Sequence, residues 1–158
     1  MNENDFIVTG ISRSGTSMFT VLLNEMPDTV CFNEVLPRSV EELPAAFTAK
    51  RERLSSGKRV WNKYNGMHLA TDTLGEDVIR KKRSIKKPLG ANVAIGSKRN
   101  LPYLNHLGEL VEAGYRIIAL VRDPVFTIAS WRSERAREKQ IPGSMTGDQL
   151  HPHLLYVP

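Results

Sequence analysis

Residues 6–25 read FIVTGISRSGTSMFTVLLNE, a stretch that predicts a strand, a glycine loop and a helix in succession. Phe6 to Thr9 is a short apolar run, typical of a buried strand, and Gly10 and Gly15 bracket the loop that follows. The apolar residues after the loop have the i, i+3, i+4, i+7 spacing of one helix face: Phe19, Leu22, Leu23 and Met26.

The predicted loop has the features of an anion site. Glycines let the backbone turn tightly and bring N–H groups close to a ligand, and the helix start adds a positive dipole end. The loop GISRSGTS fits the nucleotide-binding pattern G-x-x-x-x-G-K-[ST], except that Thr16 stands where the lysine belongs. That lysine reaches the β- and γ-phosphates of a nucleoside triphosphate, so its absence argues against an ordinary ATPase or kinase. A cation stands three residues earlier, at Arg13.

Strands and helices alternate along the rest of the chain, which predicts a parallel α/β sheet. The further predicted strands are Thr29–Phe32, Ala91–Gly96 and Tyr115–Val121. The last is a nearly continuous apolar run, as expected of a central parallel strand covered on both faces. In such a sheet ligands gather beyond the carboxyl ends of the strands, so Glu34 should face the same crevice as the glycine loop.

Capping residues predict where the helices begin and end. A capping box at Ser39–Glu42 predicts a helix through about Arg53, and Asp72 or Thr73 could begin a short helix through Arg83. A third helix is expected to begin at Asn100, with Pro102 in its first turn, and to close at Gly114. Asp123 is the expected cap of the last helix, which Pro124 opens.

Length and composition predict one soluble domain. A chain of 158 residues can bury one core, and 41% hydrophobic with 25% charged residues is ordinary for a globular protein. The single Cys31 excludes an internal disulfide, which fits a reducing compartment. The apolar runs fall well short of the ~20 residues that span a bilayer. We therefore expect a cytoplasmic protein without a membrane partner.

The net charge is +5, and residues 80–87, RKKRSIKK, carry six of the positive charges. This run would attract a polyanionic cosubstrate or an acidic acceptor, but it also suits a solvated helix end. No recognised motif supports nucleic-acid binding. His68 is a lone histidine, so both a catalytic and a structural role stay open.

Two motifs resemble those of the PAPS-dependent sulfotransferases. The 5′-phosphosulfate loop of that family typically reads Pro-[Lys/Arg]-Ser-Gly-Thr-[Thr/Ser]; residues 13–17 match it, and Ser12 replaces the proline. The stretch IIALVRDPVFTIASW resembles the family's 3′-phosphate element, an apolar strand followed by Arg-Asp-Pro and a serine eight residues after the arginine. Those residues are Arg122 and Ser130 here. A weaker likeness places Lys98 near a family Lys-[Ser/Thr/Asn]-Pro-x-Tyr element.

The resemblance implies a three-layer fold of the P-loop NTPase-like, sulfotransferase type and transfer of a sulfuryl group from PAPS, without a metal, to a hydroxyl or amine. Arg13 would stabilise the leaving oxygen, and Glu34 would be the general base, because several family members carry a glutamate after the corresponding strand. The expected cosubstrate-binding residues are Ser14, Gly15, Thr16, Ser17, Arg122 and Ser130. The product nucleotide would be adenosine 3′,5′-bisphosphate, and the acceptor a small molecule or a glycan.

Two alternatives stay open beside this interpretation. The first is a P-loop kinase or NTPase that has lost its lysine, with Asp123 as a carboxylate that binds the metal. The second is a non-catalytic nucleotide-binding fragment, because sulfotransferase domains usually exceed 200 residues and no counterpart of their C-terminal glycine-and-basic loop precedes Pro158. We read residues 1–158 as a single domain that lacks this part. The acceptor and a homo-oligomeric state are undecided.

Overall fold

The computed structural model describes residues 2–63, 82–85, 89–90 and 92–138, with the backbone alone for 82–84 and 133–138. Its elements in chain order are β1 Phe6–Gly10, α1 Thr16–Glu25, β2 Thr29–Asn33, α2 Leu43–Ser55, β3 Trp61–Lys63, β4 Lys82–Ser84, β5 Ala94–Lys98, α3 Leu101–Asn105, α4 Leu107–Glu112, β6 Arg116–Leu120 and α5 Pro124–Glu138.

Four parallel strands form the main sheet, in the order β2-β5-β1-β6. Phe6 of β1 is in register with Gly96 of β5 on one side and with Arg116 of β6 on the other. The short strands β3 and β4 pair antiparallel in a second sheet. The predicted α/β fold with a parallel sheet flanked by helices is therefore confirmed.

Helices cover both faces of the sheet because successive side chains of each strand point to opposite sides. On one face, helices α2, α3 and α4 pack on the strands through Ile7, Val30, Phe32, Ile95, Leu43, Phe47, Tyr103 and Leu110. On the other face, helix α1 packs on the strands through Phe6, Val8, Leu23, Cys31 and Phe19. The result is three layers, with β1 fully buried between them.

Strand β2 lies at one end of the sheet, and two asparagine side chains bond its outer backbone. Asn24 Oδ1 accepts from Cys31 N at 3.0 Å, and Asn24 Nδ2 donates to Cys31 O at 2.9 Å. Asn62 Nδ2 donates to the same carbonyl at 2.7 Å, and Asn62 Oδ1 accepts from Asn33 N at 2.8 Å. The fully buried Asn62 thereby ties β3 to the main sheet.

Two strand predictions need correction. The third strand was predicted at residues 91–96, but β5 runs from Ala94 to Lys98. Ser97 and Lys98 are polar yet buried, because Ser97 Oγ lies 2.6 Å from Tyr103 Oη and Lys98 pairs with Glu34. Strand β6 is neither central nor fully covered: it ends the order of the described strands, Arg116 and Ala119 are exposed, and its other three residues are only partly buried.

Three helix predictions also differ from the structure. Helix α2 begins at Leu43 rather than at the Ser39 capping box, since Pro44 fits only a first turn. Residues 82 and 83, the end of a predicted helix, belong to strand β4, because pairing with β3 overrides local propensity; residues 72–81 lie outside the described ranges. The helix after Asn100 is divided into α3 and α4 at His106.

The predicted apolar face of α1 is buried only in part: Phe19 and Leu23 pack on the sheet, but Leu22 and Met26 do not. Leu22 and Met26 are 53% and 51% exposed, whereas Thr16, Thr20 and Leu23 are buried. Thr20 can face the sheet because its hydroxyl donates to Thr16 O at 2.8 Å. The predicted positions of the glycine loop, of the Gly114 turn and of the Asp123 cap agree with the structure.

None of the helices in the described ranges combines the length and the apolar character needed to cross a lipid bilayer.

The contact between β1 and β5 leaves no room for a side chain at Gly96. A Cβ atom there would lie 2.2 Å from the Phe6 ring, so we expect Gly96→Ala to lower the free energy of unfolding by roughly 1–3 kcal/mol, the usual cost of overpacking. Urea denaturation measures the change.

The matched control is Gly108→Ala, because a Cβ there meets nothing within 4 Å. Gly108 lies in α4, where alanine should stabilise the helix by roughly 0.5–1 kcal/mol. Equal stability of the two variants would contradict the proposed packing of Phe6 on Gly96.

Candidate functional site

The predicted site residues lie along one edge of the sheet. The glycine loop follows β1, Glu34 follows β2, Lys98 ends β5 and Arg122 lies two residues after β6. Because the four strands are parallel, their carboxyl ends meet at the same edge. Four segments that are distant in sequence thus contribute side chains to one region.

The loop between β1 and α1 needs both of its glycines. A Cβ atom on Gly10 would lie 2.5 Å from Leu120 O and 2.8 Å from Ser14 Oγ, and Gly15, the N-cap of α1, has φ 94°. An L-residue would be strained at Gly15 and would clash at Gly10. The loop therefore leads directly into the first turn of α1, where the N–H groups have no partner within the helix.

The two segments predicted to bind phosphate, the glycine loop and the Arg122–Ser130 segment, contact each other. Arg13 Nε donates to Ser130 Oγ at 3.0 Å across a separation of 117 residues. Arg122 Nη1 donates to Arg13 O at 3.1 Å, and Trp131 Nε1 donates to Ser12 O at 3.1 Å. Helix α5 and the segment after β6 are thus bonded to the glycine loop, Ser130 through the Arg13 guanidinium and Arg122 through the Arg13 carbonyl.

The hydroxyl groups of the loop have different partners. Thr16 Oγ1 donates to Asn100 Oδ1 at 2.9 Å, and Thr9 Oγ1 donates to Asn100 O at 2.9 Å, which fixes the loop to the segment after β5. Ser14 Oγ is buried, and it has no hydrogen-bond partner among the described residues. A buried hydroxyl without a partner is costly, so Ser14 is suited to a ligand that reaches into the loop.

A second cluster is built on the ammonium group of Lys98, whose side chain is only 2% exposed. Lys98 Nζ lies 3.0 Å from Glu34 Oε1 and donates to Ser17 Oγ at 3.4 Å. The other carboxylate oxygen, Glu34 Oε2, lies 3.0 Å from Lys63 Nζ. Lys98 therefore connects the predicted base to the first turn of α1.

The two lysines determine the ionisation of Glu34. Burial by itself raises the pKa of this carboxyl, but the charges and hydrogen bonds of Lys98 and Lys63 outweigh burial and lower its pKa from 4.5 to about 2. Glu34 is therefore ionised at neutral pH, and it accepts a proton less readily than an ordinary glutamate.

The backbone is strained at both predicted catalytic residues. Among the described residues, the non-glycine positions with positive φ are Arg13 at 73°, Asp28 at 47° and Glu34 at 57°. Such positions cost of order 1–3 kcal/mol each and persist only where their surroundings hold them in place. Glu34 is held at its N–H, which donates to Lys98 O at 2.9 Å, and at its carbonyl, to which Arg99 Nη2 donates at 3.1 Å.

Sequence reasoning missed four residues of this site: Lys63, Arg99, Asn100 and Trp131. Trp131 directly follows Ser130, so its place next to a matched residue was the only sequence signal for its role in the site. Lys63 comes from outside the parallel sheet, and nothing in its local pattern sets it apart. His68 and residues 80, 81, 86 and 87 of the basic run lie outside the described residues.

Within the described ranges, no group of three or more His, Cys, Asp or Glu side chains is placed to hold a metal ion. The independence from metal stays a prediction.

Comparison with known proteins finds no relative: no family model, no curated protein and no solved structure matches the chain.

The Glu34–Lys98 pair should make stability depend on pH. The pKa of Glu34 is lower in the folded chain than its usual 4.5, so its ionised form favours folding above about pH 4.5. That contribution is lost as the pH falls through about 2. We expect Glu34→Gln to lower the unfolding free energy by about 3 kcal/mol at pH 7, since it leaves the buried ammonium without its partner.

Urea titrations between pH 7 and pH 2 measure this difference, which should shrink steadily below about pH 5. The control is Glu41→Gln, at an exposed position outside the cluster, where we expect little change. A Glu34→Gln deficit that stays constant down to pH 2 would contradict the ion pair.

Proposed function

We propose that the chain is a PAPS-dependent sulfotransferase with a P-loop NTPase-like fold. The observation that carries the proposal is the hydrogen bond between Arg13 and Ser130. It joins the loop that resembles a 5′-phosphosulfate site to the helix that resembles a 3′-phosphate site. If the two likenesses to the family were coincidental, nothing would lead us to expect the two segments to contact each other.

The residues present suit a nucleotide with phosphate groups at two positions. The α1 first turn and the buried Ser14 hydroxyl supply donors for one group, and the Arg122 guanidinium with Ser130 supplies donors for the other. Arg13 lies between them, and a bound nucleotide would replace its hydrogen bond to Ser130. The roles of Gly15, Thr16 and Ser17 belong to the same proposal.

Sulfuryl transfer requires in-line geometry and neutralisation of charge on the leaving group. The acceptor oxygen would attack sulfur while the bond from sulfur to the phosphate oxygen breaks, leaving its electron pair on adenosine 3′,5′-bisphosphate. Arg13 would stabilise that developing charge. The acceptor hydroxyl would lose its proton to a base, which gives a sulfate ester and the bisphosphate as products.

Glu34 is the proposed base, and its ion pairs indicate which oxygen would act. Each carboxylate oxygen accepts from one ammonium group, and the acceptor hydroxyl would approach the oxygen whose lysine is more accessible. Lys63 is 41% exposed and can return to water, whereas Lys98 is buried. We therefore assign proton removal to Oε2, with Lys98 holding Oε1 beside the loop.

The kinase or NTPase alternative lacks structural support at Asp123. Its Oδ1 accepts from Val125 N at 2.7 Å, as expected of a helix cap. A nucleotide-binding protein without activity stays the second alternative, and an assay with PAPS separates it from the enzyme. The cytoplasmic location and the absence of a nucleic-acid partner stay predictions.

Nucleotide binding should depend on the strand-end arginine. Adenosine 3′,5′-bisphosphate should raise the melting temperature without magnesium, and ATP should not. Arg122→Gln removes a charged phosphate contact, so we expect about 10- to 100-fold weaker binding by isothermal titration calorimetry.

Arg116→Gln is the matched control, because this exposed arginine lies at the opposite end of the same strand. It should bind the bisphosphate as the wild type does. Wild-type protein that binds no bisphosphate, or equal loss in both variants, would refute the nucleotide site.

In the folded protein, replacement of the proposed base should lower turnover and leave nucleotide binding unchanged. Glu34→Gln should leave bisphosphate affinity nearly unchanged while kcat falls by ~10² or more, the scale of general-base catalysis. The measurement is sulfate transfer from PAPS to a panel of phenols, sugars and amines, at a temperature where both proteins are folded. Unchanged kcat would exclude Glu34 as the base.

A further inference from the structure

A cavity of about 360 Å³ lies beside Glu34, formed by residues after β2, on α2 and on β3. This volume falls within the range of small-molecule sites. It adjoins the glycine loop through Lys98, which contacts both Glu34 and Ser17. A molecule in this cavity would therefore lie close to the proposed base.

The cavity is strongly positive. Among the described residues that line it, Glu34 is the one carboxylate and four are cations: Lys50, Arg53, Arg59 and Lys63. Among the described residues, only Lys63 of these four forms an ion pair. Burial, and secondarily the charge of Arg53, lowers the pKa of Lys50. Like charges held together in a concave site favour an anionic ligand.

An aromatic ring also lines the cavity. Trp61 is 45% exposed, and the guanidinium carbon of Arg59 lies 5.5 Å from its ring centroid. An indole beside a guanidinium suits a ring compound that bears a negative charge, because the ring can pack on Trp61 while the anion meets Arg59. Neither feature is needed to bind the nucleotide.

We propose that this cavity binds the acceptor, and that the acceptor is an organic anion: a ring compound with a carboxylate and a free hydroxyl. The cations would hold the carboxylate, Trp61 would pack on the ring, and the hydroxyl would reach Glu34 Oε2. The assignment as acceptor rests on the sulfotransferase function proposed above. The anion preference rests on the cavity alone.

A matched pair of probes tests the preference. 4-Nitrophenyl β-D-glucuronide and 4-nitrophenyl β-D-glucoside differ only at C6, which is a carboxylate in the first and a hydroxymethyl group in the second, and both should quench Trp61 fluorescence. We expect the glucuronide to bind at least about tenfold more tightly, and Arg59→Gln to remove most of that preference. Trp61→Phe should abolish the quenching and so identify its source.

Lys58→Gln is the control for charge, since Lys58 is exposed beside Arg59 and does not line the cavity. Lys58→Gln should keep the preference for the glucuronide. If the preference came only from the net positive charge of the protein, Lys58→Gln and Arg59→Gln would lower it equally. Arg53→Gln serves as a second cavity variant if Arg59→Gln does not fold. Equal affinity for the two probes, or equal loss in Lys58→Gln and Arg59→Gln, would overturn the proposal.

Bisphosphate binding, measured in the same preparations, separates this proposal from the previous one. Bisphosphate binding without a glucuronide preference would refute the anionic acceptor and leave the nucleotide site intact. A glucuronide preference without bisphosphate binding would refute the sulfotransferase and leave an anion-binding cavity.

Discussion

The buried ammonium group of Lys98 constrains the whole site. A charge removed from water must be paired, so a carboxylate has to come to the end of β5. Glu34 meets this need from the neighbouring strand, in a left-handed conformation that the Lys98 carbonyl itself helps to hold. Ser17 accepts a hydrogen bond from the same ammonium group, and Lys63 pairs with the other carboxylate oxygen of Glu34.

Two charged clusters lie on either side of the first turn of α1. One joins Arg13, Arg122 and Ser130, and these three side chains are cationic or neutral. The other joins Glu34 to two lysines and opens into the basic cavity. The first is suited to phosphate and the second to proton removal. The parallel sheet places both at one edge, although each draws on residues far apart in sequence.

Local patterns in the sequence were sufficient for the central features of the fold. The glycine loop, the strand before it and the Asp-Pro cap depend on short-range geometry, which a sequence displays directly. The end of β5 was missed because Ser97 and Lys98 are polar residues whose partners come from elsewhere in the chain. The contributions of Lys63 and Asn100 were not predictable for the same reason. The Glu34 cavity depends on the packing of α2 against β3, which no local pattern encodes.

The asparagine side chains on the outer edge of β2 have a consequence for solutions of this protein. An edge strand normally offers its N–H and C=O groups to another molecule, which is how sheets extend into fibrils. Asn24 and Asn62 already occupy the outward groups of Cys31 and the N–H of Asn33. Among the described residues, two amides therefore close these three backbone groups of β2 to pairing with another molecule.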